Sequence, residues 1–303
     1  MRRRDFLRTG TGLGIGSLVG LGVAYGYASQ AEPHHLRAEQ RTVHFRSLPM
    51  ALDGLRVVLM CDHHLHPFTP RSLLEQAVAV ANAAQPDLVL LAGDYVYTDV
   101  EAIHELAPIL GRLNARYGVF ATLGNHDCLR GPGVIRSALA AQSIEVLVNR
   151  GLHVGPPAGR LYLAGLDSVL AGAPDFARAF AGCSQSDFAI GIVHEPDYFR
   201  VLARISPIRL QVSGHSHGGQ VRIPGFGAVI LPAWGQVYSA GLYELNDRQI
   251  YTSRGLGMVC LPVRFDCPPE VTVITLARGV PPSVGADPAQ VSSGGRDRKR
   301  RSG

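Results

Sequence analysis

Val212-Ser213-Gly214-His215-Ser216-His217-Gly218-Gly219-Gln220 is an apolar run that ends in two histidines with glycine on either side. Leu210 to Val212 reads as the end of a buried strand, and Gly214 lets the backbone turn sharply after it. Two imidazoles one residue apart, where a strand breaks into a loop, can be aimed at two neighbouring points. Neutral imidazole is a common ligand of Zn, Mn and Fe, so the pair points to a site for more than one metal ion. A His-x-His pair also arises by chance on protein surfaces. Its weight depends on whether ligand-type residues stand at other strand ends.

Working outward, four more apolar strands end in such residues. Residues 55–60 run into Cys61-Asp62-His63-His64-Leu65-His66-Pro67, and residues 88–91 into Gly93-Asp94-Tyr95. Residues 118–123 run into Gly124-Asn125-His126-Asp127, and residues 188–193 into His194-Glu195-Pro196-Asp197. Apolar residues fall at helical spacing over 71–84, 100–114 and 133–141, with shorter helices expected at 175–180 and 196–203. Further strands are expected at 145–148, 161–166, 228–231, 249–253 and 271–276, and loops over 150–160 and 223–241 are expected to shape the pocket. This alternation is the signature of an α/β domain, and in open α/β sheets the carboxyl ends of the strands converge on one crevice. Asp62, His64, Asp94, Asn125, His194, His215 and His217 therefore form a candidate ligand set of carboxylates, an amide oxygen and imidazoles. That mixture suits Mn, Zn or Fe better than Mg or Ca. It exceeds what one such ion needs. With one bridging carboxylate it fills two shells, which fits two divalent ions about 3.5–4 Å apart.

In this order and spacing, Asp62-x-His64, Gly93-Asp94, Gly124-Asn125-His126-Asp127, His194 and Gly214-His215-Ser216-His217 resemble the full motif set of the calcineurin-like metallophosphoesterases. Residues 163–167, 194–197, 214–221, Ser253-Arg254-Gly255-Leu256-Gly257 and Cys267-Pro268-Pro269-Glu270 are similar to the family's bacterial envelope phosphodiesterase branch, often exported by the twin-arginine route. The resemblance implies two mixed β-sheets packed as a sandwich and flanked by helices. It also implies that Asp62, His64 and His217 hold one ion, that Asn125, His194 and His215 hold the other, and that Asp94 bridges them. His126 would be general acid or charge stabiliser, with Asp127 orienting its ring. The implied activity is hydrolysis of phosphate esters, most of all phosphodiesters, by a hydroxide bridging the ions. The alternatives are cleavage of a pyrophosphate in a lipid precursor like UDP-diacylglucosamine, or an envelope protein that binds metal without turnover. The first motif departs from the family's usual form: Cys61 stands where Ser is common, and His63 where a hydrophobic residue is common. His63, His64 and His66 thus compete as ligands, and the motif spacing favours His64. His63 is expected to point away from the metals or to a neighbouring group.

The chain has 303 residues, 46% of them hydrophobic, enough for one large core or two modest ones. Its formal net charge of +5 is concentrated at the ends, in Arg2, Arg3, Arg4 and Arg8 and in residues 296–301. The body between is slightly acidic, so no nucleic-acid-binding surface is indicated. Arg3-Arg4-Asp5-Phe6-Leu7-Arg8 matches the twin-arginine export pattern and precedes a glycine-rich apolar run; Ser29-Gln30-Ala31 offers a cleavage point. Residues 1–31 are expected to be a twin-arginine signal or anchor that engages the export machinery. That places the protein outside the cytoplasm or against the membrane. Residues 32–54 are expected to lead into a domain spanning 55–278, and residues 279–303, rich in Pro, Gly, Ser and Arg, to be a disordered tail. The five cysteines form no zinc spacing; Cys260 and Cys267 are close enough in sequence to pair, though buried thiols are the plainer expectation. Asp167, Arg222, Arg254, Tyr95 and Trp234 each have a structural reading beside a functional one. His34, His35, His44, His104 and His153 lack motif context.

Overall fold

The computed structural model describes residue 20 and residues 22–280, so the arginine pair and the basic tail lie outside the described residues. Strands β1 (Arg37–Phe45), β2 (Arg56–Met60), β3 (Leu88–Leu91), β4 (Val119–Ala121), β5 (Glu145–Val146) and β14 (Glu270–Arg278) form one six-stranded sheet in the order β1-β14-β2-β3-β4-β5. The second six-stranded sheet holds β6 (Arg150–Val154), β7 (Leu161–Gly165), β8 (Phe188–Ile192), β9 (Ile208–Ser213), β12 (Gly241–Leu245) and β13 (Arg248–Thr252), in the order β12-β13-β9-β8-β7-β6. Within each sheet the central strands are parallel, and antiparallel pairs lie toward the edges (β14 on β2, β12 on β13, β6 on β7). A small hairpin, β10 (Arg222–Ile223) and β11 (Gly227–Ala228), stands apart from both.

The two-residue period of β2 shows how one strand serves two layers. Val57 and Leu59 face the second sheet, where they join Leu88, Leu90, Leu163, Ile190 and Val212 in one buried cluster. Val58 and Met60 face the other way, onto helices α1 (Arg71–Ala83), α2 (Ile103–Leu110) and α4 (Pro132–Ala140) through Leu74, Ala77, Leu106, Ile109, Ile135 and Leu139. On the outer face of the second sheet, Tyr162, Ala164 and Ala189 pack with Leu202 of α6 (Phe199–Ile205) and Ala179 of α5 (Phe176–Ala179). The architecture is thus helix, sheet, sheet, helix, and the central strands of both mixed sheets are buried on both faces.

Three expectations change. Residues 32–54 are not merely a lead-in, because β1 pairs in parallel with β14 along its whole length, from Arg37 opposite Glu270 to Phe45 opposite Arg278. Its first six residues are mainly exposed and polar, and only Val43 and Phe45 enter the core, so no apolar alternation marked it as a strand. β6 was likewise hidden. It is a half-exposed edge strand, ending the second sheet where a loop was expected over 150–160. The strand expected at 228–231 shrinks to the two residues of β11, since the apolar side chains after it face outward instead of joining a sheet.

Candidate metal centre

Every strand leading to the site stops at the same rim, and the chain leaves extended conformation abruptly there. Asp62, His64, Asp94, His215 and His217 all have positive φ, between 42° and 69°. Non-glycine residues occupy that region at a cost of order 1–3 kcal/mol each, and such strain gathers at functional sites. Adjacent glycines allow the crowding. A Cβ on Gly124 would lie 2.1 Å from Asp94 Oδ1, and one on Gly214 would lie 2.4 Å from Asp62 Oδ2. The Gly93 Cβ position falls 2.4 Å from the Gly124 backbone nitrogen, so these two turns pack directly on each other.

The seven candidate ligands converge. Asp62, His64 and His217 present ligand atoms within 4.8 Å of one another, as do Asp94, His194 and His215. Asp94 Oδ2 lies 3.1 Å from His194 Nε2 and 3.4 Å from His64 Nε2, which joins the two groups. Asn125 Oδ1 stands 2.9 Å from His215 Nδ1. His126 joins Asp94 and His64 in a third cluster. His66 is not among them, since its ring pairs with Glu105 on the surface at 2.9 Å.

Backbone carbonyls fix most of the tautomers. His64 Nδ1 donates to Val96 O (3.2 Å) and His194 Nδ1 to Ala92 O (2.7 Å), so each turns Nε2 to the centre. His215 is reversed: Nε2 donates to Ala233 O (2.8 Å) and Nδ1 faces inward. In the neutral rings the inward nitrogens of His64 and His215 therefore offer lone pairs. With those tautomers His215 Nδ1 confronts the Asn125 carbonyl oxygen, acceptor against acceptor. His64 Nε2 stands 3.1 Å from His217 Nε2, whose ring has no partner at Nδ1, and His194 Nε2 faces the Asp94 Oδ2 carboxylate oxygen at 3.1 Å. Buried acceptors facing one another are costly unless a cation lies between them. The donor set therefore fits divalent metal.

Electrostatics agree. Burial pushes the His194 imidazole down, but the Asp94 and Asp62 carboxylates outweigh it and hold it well above its ordinary value. Burial would raise Asp94, yet His194 and His64 keep it well below the usual carboxylate range. Burial drives His217 down to about 3, so it is a neutral donor at neutral pH. Two close carboxylates draw positive charge to this point whatever supplies it.

Asp127 does not orient His126. Its carboxylate is fully buried and accepts the backbone N–H groups of Gly124 (2.9 Å), Asp94 (2.8 Å) and Tyr95 (2.9 Å). As the third residue of α3 (Asn125–Arg130) it reaches back over the helix start rather than sideways to its neighbour. Burial and the adjacent Asp94 push it up to about 7, against those N–H donors. His126 is held instead by its own Nδ1 on Tyr97 O (2.9 Å) and by its N–H on Asp94 Oδ1 (2.9 Å).

His63 is buried and stacks on Tyr95 with ring centroids 5.3 Å apart, and burial lowers it to about 4. The Tyr95 hydroxyl donates to Thr122 O, away from the site. Arg254 is committed to Glu270 (2.6 Å) and Glu39 (3.1 Å), tying the site loop to β14 and β1. Arg222 donates to Gly218 O, and Asp167 accepts from Ser168 and Ala173. Cys61 is a buried thiol raised by burial; Cys260 and Cys267 are unpaired, one exposed and one buried. Sequence reasoning missed the supports. Glu195 accepts the N–H groups of Val169 and Leu170, and Asp197 those of Gln236, Val237 and Tyr238. Arg264 is fully buried and donates to the carbonyls of Cys267, Arg254, Gly255 and Gly257. That bracing presses Gly255 against Asp62, where a Cβ would come within 2.6 Å. Glu195 and Asp197 had only the sequence signal of the 194–197 motif similar to the envelope branch, and Arg264 had none.

Against known proteins, the sequence model of the calcineurin-like phosphoesterases matches residues 55–219. The metallophosphoesterase YkuE of Bacillus subtilis is 35% identical over 280 residues, 91% of this chain and 98% of that protein. The phosphodiesterase YaeI of Escherichia coli is 30% identical over 279 residues, 90% of this chain and 98% of that protein.

Proposed function

The chain belongs to the calcineurin-like phosphoesterase family and is a metal-dependent hydrolase of phosphate esters, and from that premise we propose that it cleaves phosphodiesters with two divalent ions. The observation that carries this is the set of ligand atoms turned inward around Asp94, with His64 Nε2 and His217 Nε2 3.1 Å apart and Asn125 Oδ1 and His215 Nδ1 2.9 Å apart. Asp62, His64 and His217 would hold one ion and Asn125, His194 and His215 the other, with Asp94 shared between them. Mn, Zn and Fe all match this donor set. When bound, such a pair lowers the pKa of a water and neutralises phosphoryl oxygens.

The remaining chemistry falls to His126. Its Nδ1 is occupied by Tyr97 O, which leaves Nε2 to meet substrate. A diester expels an alkoxide that needs a proton, and an imidazolium at Nε2 supplies it. Burial lowers the His126 pKa, which makes the imidazolium a stronger acid and shrinks its population as pH rises. The diester reading also agrees with the name of the Escherichia coli relative, the phosphodiesterase YaeI.

We place this activity outside the cytoplasm on the strength of Arg3-Arg4-Asp5-Phe6-Leu7-Arg8, a segment outside the described residues. Chelated protein reloaded with Mn, Zn or Fe and assayed on bis(p-nitrophenyl) phosphate and p-nitrophenyl phosphate tests the chemistry. Two equivalents of metal and preference for the diester are expected. One equivalent, or an inert loaded protein, overturns the reading. An R3K/R4K variant should stay in the cytoplasm, and unaltered export would refute the location.

A further inference from the structure

Beside the metal centre the chain exposes what a soluble loop would bury. Phe226, at the tip of the β10–β11 hairpin between Gly225 and Gly227, is 90% exposed; Ile230 is 77% exposed and Trp234 40%. Ile223 and Val229 are exposed beside them. From Ile223 through Tyr243 the sequence has no Asp, Glu, Lys or Arg. Single exposed apolar side chains are ordinary, but a contiguous group on an uncharged loop marks an interaction surface.

Two attachments say what it meets. The first is to the site: Ala233 O accepts from His215 Nε2, Gly235 lies against the His215 ring, and a Cβ on Gly219 would strike Ala228. The patch is therefore the lip of the metal centre. The second is to the N-terminal segment. Arg222 N donates to Phe265 O at the hairpin base, and the Phe265 ring meets Tyr27 edge-on at 6.4 Å. Arg264 N donates to Ala28 O, and the Glu32 carboxylate accepts from Asp266 N. Tyr27 and Ala28 thus pack next to the hairpin base, and Val23, Tyr25 and Tyr27 are exposed. No described helix is long and apolar enough to cross a membrane. An amphipathic surface of this kind, with aromatic residues at its edge, suits the lipid–water interface.

We propose that the hairpin and the Ile230–Trp234 loop insert into a bilayer surface, so that the metal centre acts on phosphate esters carried by membrane lipids. This substrate class rests on the phosphoesterase reading; the docking does not. Tyr27 and Ala28 pack at the base of the uncharged hairpin, and the sequence leading up to them is apolar, which is the argument for lipid rather than a protein partner.

Trp234 is the only tryptophan of the chain, so its fluorescence reports this face alone. The full-length, metal-loaded protein is mixed with vesicles of phosphatidylglycerol and phosphatidylethanolamine, with and without brominated acyl chains. A blue shift and bromine quenching of Trp234 are expected. F226S/I230S should weaken the vesicle affinity read at Trp234 by about tenfold or more. Turnover of a phosphodiester lipid in vesicles should fall in step with binding, and by a far larger factor than kcat/KM on soluble bis(p-nitrophenyl) phosphate. If Trp234 stays unshifted and unquenched while the protein sediments with vesicles, the N-terminal segment alone binds and the proposal fails. It also fails if the patch instead forms a dimer that F226S/I230S dissolves. Quenching at Trp234 with no hydrolysis of any ester would uphold the docking and refute the catalytic reading.

Discussion

Asp94 shows how much one carboxylate can be asked to do. Its Oδ1 accepts the His126 N–H, its Oδ2 faces His194 and His64, and its own N–H is held by Asp127. Asp94→Asn keeps the shape but halves the negative charge around which the imidazoles gather. Loss of at least one metal equivalent is expected, with turnover falling by about a hundredfold or more; metal analysis beside the diester assay checks both. His126→Ala is expected to retain all bound metal and to lower kcat by about 10²–10⁴. Metal loss in that variant would show that His126 belongs to the ligand set. The ligand-type residues themselves were legible in the sequence, because Asp, Asn and His at the ends of apolar runs are poor core residues and good metal donors. The role of Asp127 was not. Whether a carboxylate reaches sideways or back over a helix start depends on the helix geometry, and α3 is too short to announce itself by periodicity.

At the scale of turns and strands, the glycines decide whether ligands can approach. Gly214→Ala would put a methyl group 2.4 Å from Asp62 Oδ2 and 2.7 Å from Cys61 Sγ, with no room to yield between β2 and β9. Destabilisation of about 1–3 kcal/mol by thermal unfolding, together with reduced metal content, is expected. A second turn makes a different prediction. Burial pushes the Asp187 carboxyl up, but the Ser184 N–H (2.7 Å) and His153 (3.0 Å) outweigh it and hold it at about 2. Its folded value is depressed, so the stability it contributes is present above about pH 4 and is lost as pH falls toward 2. Asp187→Asn should therefore lower the thermal midpoint at neutral pH, and the difference from the parent should close as pH falls through that window. A gap that persists at pH 2 would count against the assigned charge. The central strands β2, β3, β7, β8 and β9 were legible as unbroken apolar runs because both of their faces are covered. β1 and β6 were not, since edge strands take their stability from neighbours and tolerate polar residues.

Over the whole molecule, the centre is a place where folding opposes itself until charge is supplied. Both sheets deliver strained, buried acceptors to one rim, so metal should bind the folded chain far more tightly than the unfolded one. Chelation is expected to lower the melting temperature, and Mn or Zn to restore it. Free metal at a hundred times Kd is worth about 2.7 kcal/mol. A midpoint indifferent to chelator in calorimetry would mean that the rim is stable empty. The hairpin lip belongs to this scale too, because only the assembled fold brings Ala233 onto His215 and the hairpin base at Arg222 onto Phe265, which Tyr27 meets.

The sequence by itself determined the α/β class, the strand-end ligands and the reaction family, because those follow from local pattern: apolar runs, punctuating glycines and side-chain chemistry. Tertiary structure alone decided that β1 completes the first sheet, that Asp127 anchors backbone instead of a catalytic ring, and that Arg254 and Arg264 brace the site rather than touch substrate. The reason is physical. Hydrophobic periodicity records what a residue buries, whereas hydrogen bonds and edge pairings depend on which distant atoms the fold brings within about 3 Å, and no local pattern carries that distance.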